Sequence, residues 1–158
     1  MKSFVFCLVV LVCTSAEARR YYTYNSAPHA ASALKTMPEH IRKEVDKTDL
    51  HVIEENLLKE TNKARIRNGL KALEIDRRLQ RQTRWQAIWM AKNRSMTHGS
   101  GVTENIAMGQ RNTREVLSTW MNSSGHRANI LNPSHRKAGL SAYRTPEGTV
   151  YWCQQFSR

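Results

Sequence analysis

The C-terminal stretch TVYWCQQF is apolar on both of its alternating faces. In an extended segment successive side chains point to opposite sides. Val150, Trp152 and Phe156 therefore face one way, and Tyr151 and Cys153 face the other. A strand of this kind needs cover above and below, which excludes a sheet with one wet face. Its partner is KAGLSAYR, reached across Thr145-Pro146-Glu147-Gly148. Proline second and glycine fourth fit a type I turn, so the two runs read as a β-hairpin.

The cover must come from helices. Apolar residues recur at helical spacing from about Asp49, with Leu50, Ile53, Leu57, Ala64 and Leu58 on one broad face, and stop at Asn68-Gly69. A second helix is predicted from Asp76, acting as cap, to about Asn93, with Leu79, Trp85, Ile88, Trp89 and Ala91 as its apolar content. MTHGSGVTENIAMGQ reads as a polar loop with a short strand near Ile106. A third helix should begin at Asn112 or Thr113, where Asn112 and Glu115 resemble a capping box. Val116, Leu117, Trp120 and Met121 supply its buried face. Helices first and a terminal hairpin last make the class α+β.

Residues 1–18, MKSFVFCLVVLVCTSAEA, have a charged start, an apolar run from Phe4 to Cys13 and the small-x-small pair Ala16 and Ala18. This is the layout of a secretory signal peptide cleaved after Ala18. The apolar run falls well short of the ~20 residues of a spanning helix, so the mature chain is expected to carry no transmembrane segment. Cys7 and Cys13 would leave with the leader, and Cys153 alone remains. No internal disulfide can then form, so a hydrophobic core must hold the fold. Residues 19–48, with Pro28 and Pro38 and little apolar periodicity, read as a loosely ordered arm, and residues 49–158 as the single domain.

The formal charge of +12 favours anionic surfaces. The basic residues are scattered, however, and no compact run interleaved with aromatics marks a nucleic-acid site. Ser100 sits between glycines but outside any G-x-S-x-G elbow. Cys153, mid-strand among aromatics, reads as a buried inert thiol, and Trp85 and Trp89 as core. His29, His40, His51 and His135 show no usable pattern. The segment WMNSSGHRANILNP is more informative. Ser123 or Ser124 can cap a short helix, Asn132-Pro133 stops it, and Ile130 with Leu131 anchors it. His126 is thereby held in the first turn.

Asn62, Arg65, Gly69, Leu73, His98, Glu104-Asn105-Ile106, Trp120, GHRANIL and YWCQQF follow one another in an order that resembles the CAP superfamily, or SCP-like domain. Its members include the cysteine-rich secretory proteins, antigen 5 and the pathogenesis-related proteins of class 1. The match covers roughly residues 50–158 and is closer to the compact, disulfide-free forms. The resemblance implies a three-layer α-β-α sandwich around a small, mainly antiparallel sheet. It also implies a cleft lined by two histidines and two acids. His98, Glu104 and His126 take three of these places, while Ser123 stands where the second acid is usual.

Two imidazoles and one carboxylate with an open fourth position would suit zinc or another divalent cation. The expected function is a secreted, non-catalytic module that binds a lipid, glycan or protein partner through this His/Glu-lined cleft, with or without a metal. The alternative is a metal-assisted hydrolase or peptidase using His98, His126 and Glu104.

Overall fold

The computed structural model describes residues 37–158. The expected leader and the 19–36 part of the arm lie outside the described residues. Nine elements follow in chain order: α1 (Glu39–Val45), α2 (Val52–Arg67), β1 (Glu74–Ile75), α3 (Arg77–Asn93), β2 (Thr103–Met108), α4 (Thr113–Met121), α5 (Ser124–Ile130), β3 (Lys137–Arg144) and β4 (Val150–Ser157).

The strand apolar on both faces lies inside the sheet. Strand order is β1-β3-β4-β2, with β4 antiparallel to both neighbours and β1 parallel to β3 over two residues. The hairpin turn closes with the Gly148 N–H donating to the Thr145 carbonyl at 2.9 Å. Tyr151 and Cys153 pack with Trp85, Ile88 and Trp89 of α3. Val150, Trp152 and Phe156 pack with Leu57, Val116, Trp120 and Ile130 of α2, α4 and α5. Helices α1 and α3 thus cover one face and α2, α4 and α5 the other, giving the α-β-α layering.

Helix α3 starts where expected, with Asp76 Oδ1 accepting from the Leu79 N–H at 2.9 Å. Its first turn also finishes the sheet. β1 ends at Ile75, and the Gln80 amide takes the next rung on β3. Its Oε1 accepts from the Leu140 N–H at 3.0 Å and its Nε2 donates to the Leu140 carbonyl at 2.6 Å. This close approach is possible because residue 139 is glycine. A Cβ there would overlap the Leu79 carbonyl and the Gln80 backbone nitrogen.

Two buried arginines join the layers. Arg65, fully buried, donates to the carbonyls of Lys71, Ile130, Asn132 and His135 at 2.6–3.0 Å. Arg84 forms a buried pair with Glu54 and also donates to the Lys47 and Asp49 carbonyls at 2.5 and 2.8 Å.

Four expectations need correction. The segment assigned to the arm is ordered over its described end. Met37, Ile41 and Val45 recur every fourth residue and bury against α3, a stripe whose apolar surface has value only once α3 is beside it. Strand β1 was not expected, because two residues carry no period. The most buried stripe of α2 is Glu54, Leu57, Thr61 and Arg65, and three polar members hide it from an apolar count. Ser123 occupies the N-cap position of α5 but its side chain makes no capping hydrogen bond.

Two substitutions test this packing. Gly139→Ala should force α3 off the sheet and destabilise by about 1–3 kcal/mol, read as a lower midpoint in denaturant. Arg65→Lys keeps the charge but cannot fork to four carbonyls. Carbonyls left unpaired should cost at least ~2 kcal/mol, measured the same way.

Candidate functional site

The site forms where edge strand β2 meets the His98 loop and helix α5. Glu104, buried on β2 opposite Gln155 of β4, has its carboxylate fully engaged. Oε1 accepts from His98 Nδ1 at 3.0 Å and from the Gly99 N–H at 3.0 Å. Oε2 accepts from Gln155 Nε2 at 2.8 Å and from the Cys153 thiol at 3.3 Å. An ionised carboxylate only accepts, so His98 carries its proton on Nδ1. Nε2 is then the free nitrogen of the ring, and this imidazole is exposed.

His126 arrives from the other layer. Strand alternation points Glu104 toward α3 and its neighbour Asn105 toward α5. The Asn105 side chain donates to the His126 carbonyl at 3.1 Å and accepts from Asn129 Nδ2 at 2.9 Å. Asn129 also donates to the Glu104 carbonyl at 3.3 Å, and the Trp120 indole donates to the Ile106 carbonyl at 3.2 Å. These side chains cap the open edge of β2, which would otherwise invite strand pairing. His126 is half-buried, with Nδ1 buried and lacking a partner.

His98 and Glu104 are therefore in direct contact, while His126, held through its backbone carbonyl on α5, lies close enough for the His98 charge to act on its imidazole. Among the described residues no three His, Cys, Asp or Glu side chains gather in ion-holding geometry. The donors left for an ion are the two imidazoles, below the three protein ligands of a catalytic zinc. A three-ligand centre that includes Glu104 does not fit these residues. Ser123, where a second acid would stand, supplies none.

Gln155, Asn105 and Asn129 were not singled out from sequence. The available signal was polarity at a position that alternation buries: Gln155 shares the face of Tyr151 and Cys153. Cys153 is buried as expected, and burial first, then the Glu104 charge, pushes its thiol well above the usual range. Trp85 and Trp89 are core residues. His135 is buried and stacks on Phe156 at 5.0 Å.

Burial, and after it the His98 charge, holds the His126 imidazole below its ordinary value. Burial likewise lowers His135, against an opposing hydrogen bond to the Asn129 carbonyl. Both groups bind protons less readily folded than unfolded, so stability rises with pH through this window. Denaturant midpoints should fall as pH drops below ~6.5, where unfolded histidine begins to protonate. The loss should level off below the folded-state values, and His135→Phe should reduce the slope.

Comparison with known proteins agrees with this architecture. The sequence model of CAP, described as the Cysteine-rich secretory protein family, matches residues 58–156. The chain is 38% identical over 121 residues to the uncharacterized protein YkwD of Bacillus subtilis (strain 168), covering 65% of this chain and 46% of that protein. The chain thus spans under half the length of this curated relative. An outer surface protein of Borrelia burgdorferi superposes with a TM-score of 0.62 at 23% identity, covering 71% of this chain and 97% of that one. An extracellular SCP-domain protein of Bacillus anthracis gives 0.59 at 22% identity, covering 84% and 45%. These two share the fold. With its family match spanning well over half of the sequence, the chain belongs to the CAP, or cysteine-rich secretory protein, family.

Proposed function

We propose that this chain is a secreted binding module that holds a lipid, glycan or protein partner without turning it over. The observation that supports this reading is the saturation of Glu104. A general base needs a lone pair facing the proton it takes, and all four contacts of this carboxylate are with donors of the protein itself. Its role is to position His98. The hydrolase alternative would then lack a carboxylate base and a third metal ligand, and fold alone assigns no catalysis. Export rests on the leader-like residues 1–18, and the charge of +12 favours partners on anionic surfaces. Among the described residues no helix is long and apolar enough to cross a membrane.

An ion, if taken up, would use His98 Nε2 and an imidazole nitrogen of His126. Zn²⁺ titration by calorimetry separates the roles. His98→Ala and His126→Ala should each abolish uptake, whereas Glu104→Gln should weaken it about tenfold, as loss of an orienting partner does. Native mass spectrometry of protein recovered from medium should show a retained partner, released unchanged on denaturation. Steady turnover of ester or peptide substrates, lost in both Glu104→Gln and His98→Ala, would overturn the binding reading.

A further inference from the structure

A second recess lies behind the loop that carries His98. It is a groove of about 360 Å³ between the N-terminal half of α3, residues 99–103 and the end of β4. This volume falls within the ~300–1,000 Å³ of small-molecule sites. The walls carry Gln82 and Gln86 from α3, Ser100 from the loop and Gln155 from β4, with Asp76 and Arg78 at the helix start. All three glutamines are buried, an unusual place for that side chain.

Their amide orientations are set by their partners. Glu104 can only accept, so Gln155 must turn Nε2 toward it, and its Oε1 is left buried and without a partner. The Thr97 carbonyl likewise only accepts, so Gln86 turns Nε2 toward it at 2.6 Å. Both side chains are thus left with a fixed carbonyl oxygen. A buried acceptor without a donor is destabilising, and a ligand that brings a donor would relieve it. Planar amide, carboxylate and guanidinium groups each match the adjacent hydroxyls of a sugar ring, which donate and accept side by side. The groove carries all three kinds. An anionic ligand would face Asp76 and the glutamine carbonyls, and a cationic one would face Arg78 and the net charge of +12.

We infer that this groove binds a neutral oligosaccharide, held by Gln82, Gln86 and Gln155 and fixed at one end by Asp76 and Arg78. The inference names a ligand class for the binding module and rests on that reading. It places the contact in the groove and not at the His98–His126 cleft.

The test uses the whole secreted protein and two neutral tetrasaccharides, chitotetraose and cellotetraose, in calorimetry and ligand-observed NMR. At least one should bind at millimolar concentration or below. Gln82→Ala should weaken binding about tenfold, the effect of ~1.4 kcal/mol, and Lys59→Ala, at an exposed position of α2 on the other layer, should leave it unchanged. Arg78→Ala, at an exposed position, gives the same readout should Gln82→Ala fail to fold. Binding lost in His126→Ala but kept in both groove variants would overturn the groove while leaving the binding module intact. Absence of binding by either sugar to the wild type would overturn the saccharide assignment. So would tighter binding of a neutral tetra-alanine peptide that depends on Gln82.

Discussion

A fully buried guanidinium without a carboxylate partner organises one half of this fold. Arg65 sits at the end of α2 and donates to four backbone carbonyls, from Lys71, Ile130, Asn132 and His135. Three of these lie in the stretch from the end of α5 to the start of β3, a turn with no regular ladder of its own. Burying a charge is costly unless its donors are filled, and here the chain itself bends to supply acceptors. Burial draws the Arg65 pKa down, yet a guanidinium stays charged in proteins. The exit of α5, and with it the seat of His126, is therefore referenced to α2.

From there a buried polar chain runs through the sheet. Thr61 accepts from Gln154, Gln154 accepts from Asn105, Asn105 accepts from Asn129, and the Asn129 carbonyl meets His135 Nδ1. Such a network rigidifies when each member is satisfied. It fixes α5 against β2 from one side, while Glu104 and its four donors fix the His98 loop from the other. The two histidines are thus positioned by separate networks, one built on Glu104 and one on Asn105.

The same division gives the protein an inert interior and a polar exterior site. The Cys153 thiol, Glu104 and Gln155 are locked together under the loop, and what remains open is an exposed imidazole, a groove lined with amides and a basic surface. On these features the proposed binding role rests. Gly139 and Gln80 contribute from a distance, because they let α3 lie close enough to the sheet to form the groove's wall.

Much of this was legible in the residues. The two apolar faces of TVYWCQQF called for a layer on each side, and both cores are there. Asp76 and Asn112 marked helix starts, Asn68-Gly69 a helix stop, and the proline and glycine of 145–148 a hairpin turn, since each acts through its own local backbone. His98 and Glu104 are joined by a hydrogen bond that no local pattern announced. Other features existed only through partners distant in sequence. Met37, Ile41 and Val45 are too few to signal a helix until α3 offers them a surface. The polar stripe of α2 reads as solvent-facing until Arg84 and the Gln154 amide meet it. Above all, the sequence by itself determined which side chains could line a cleft, but tertiary structure decided how they are shared. Strand alternation sent Glu104 to one face and Asn105, which holds the His126 carbonyl, to the other. Four donors, two from the His98 loop and two from β4, left the carboxylate with nothing further to bind.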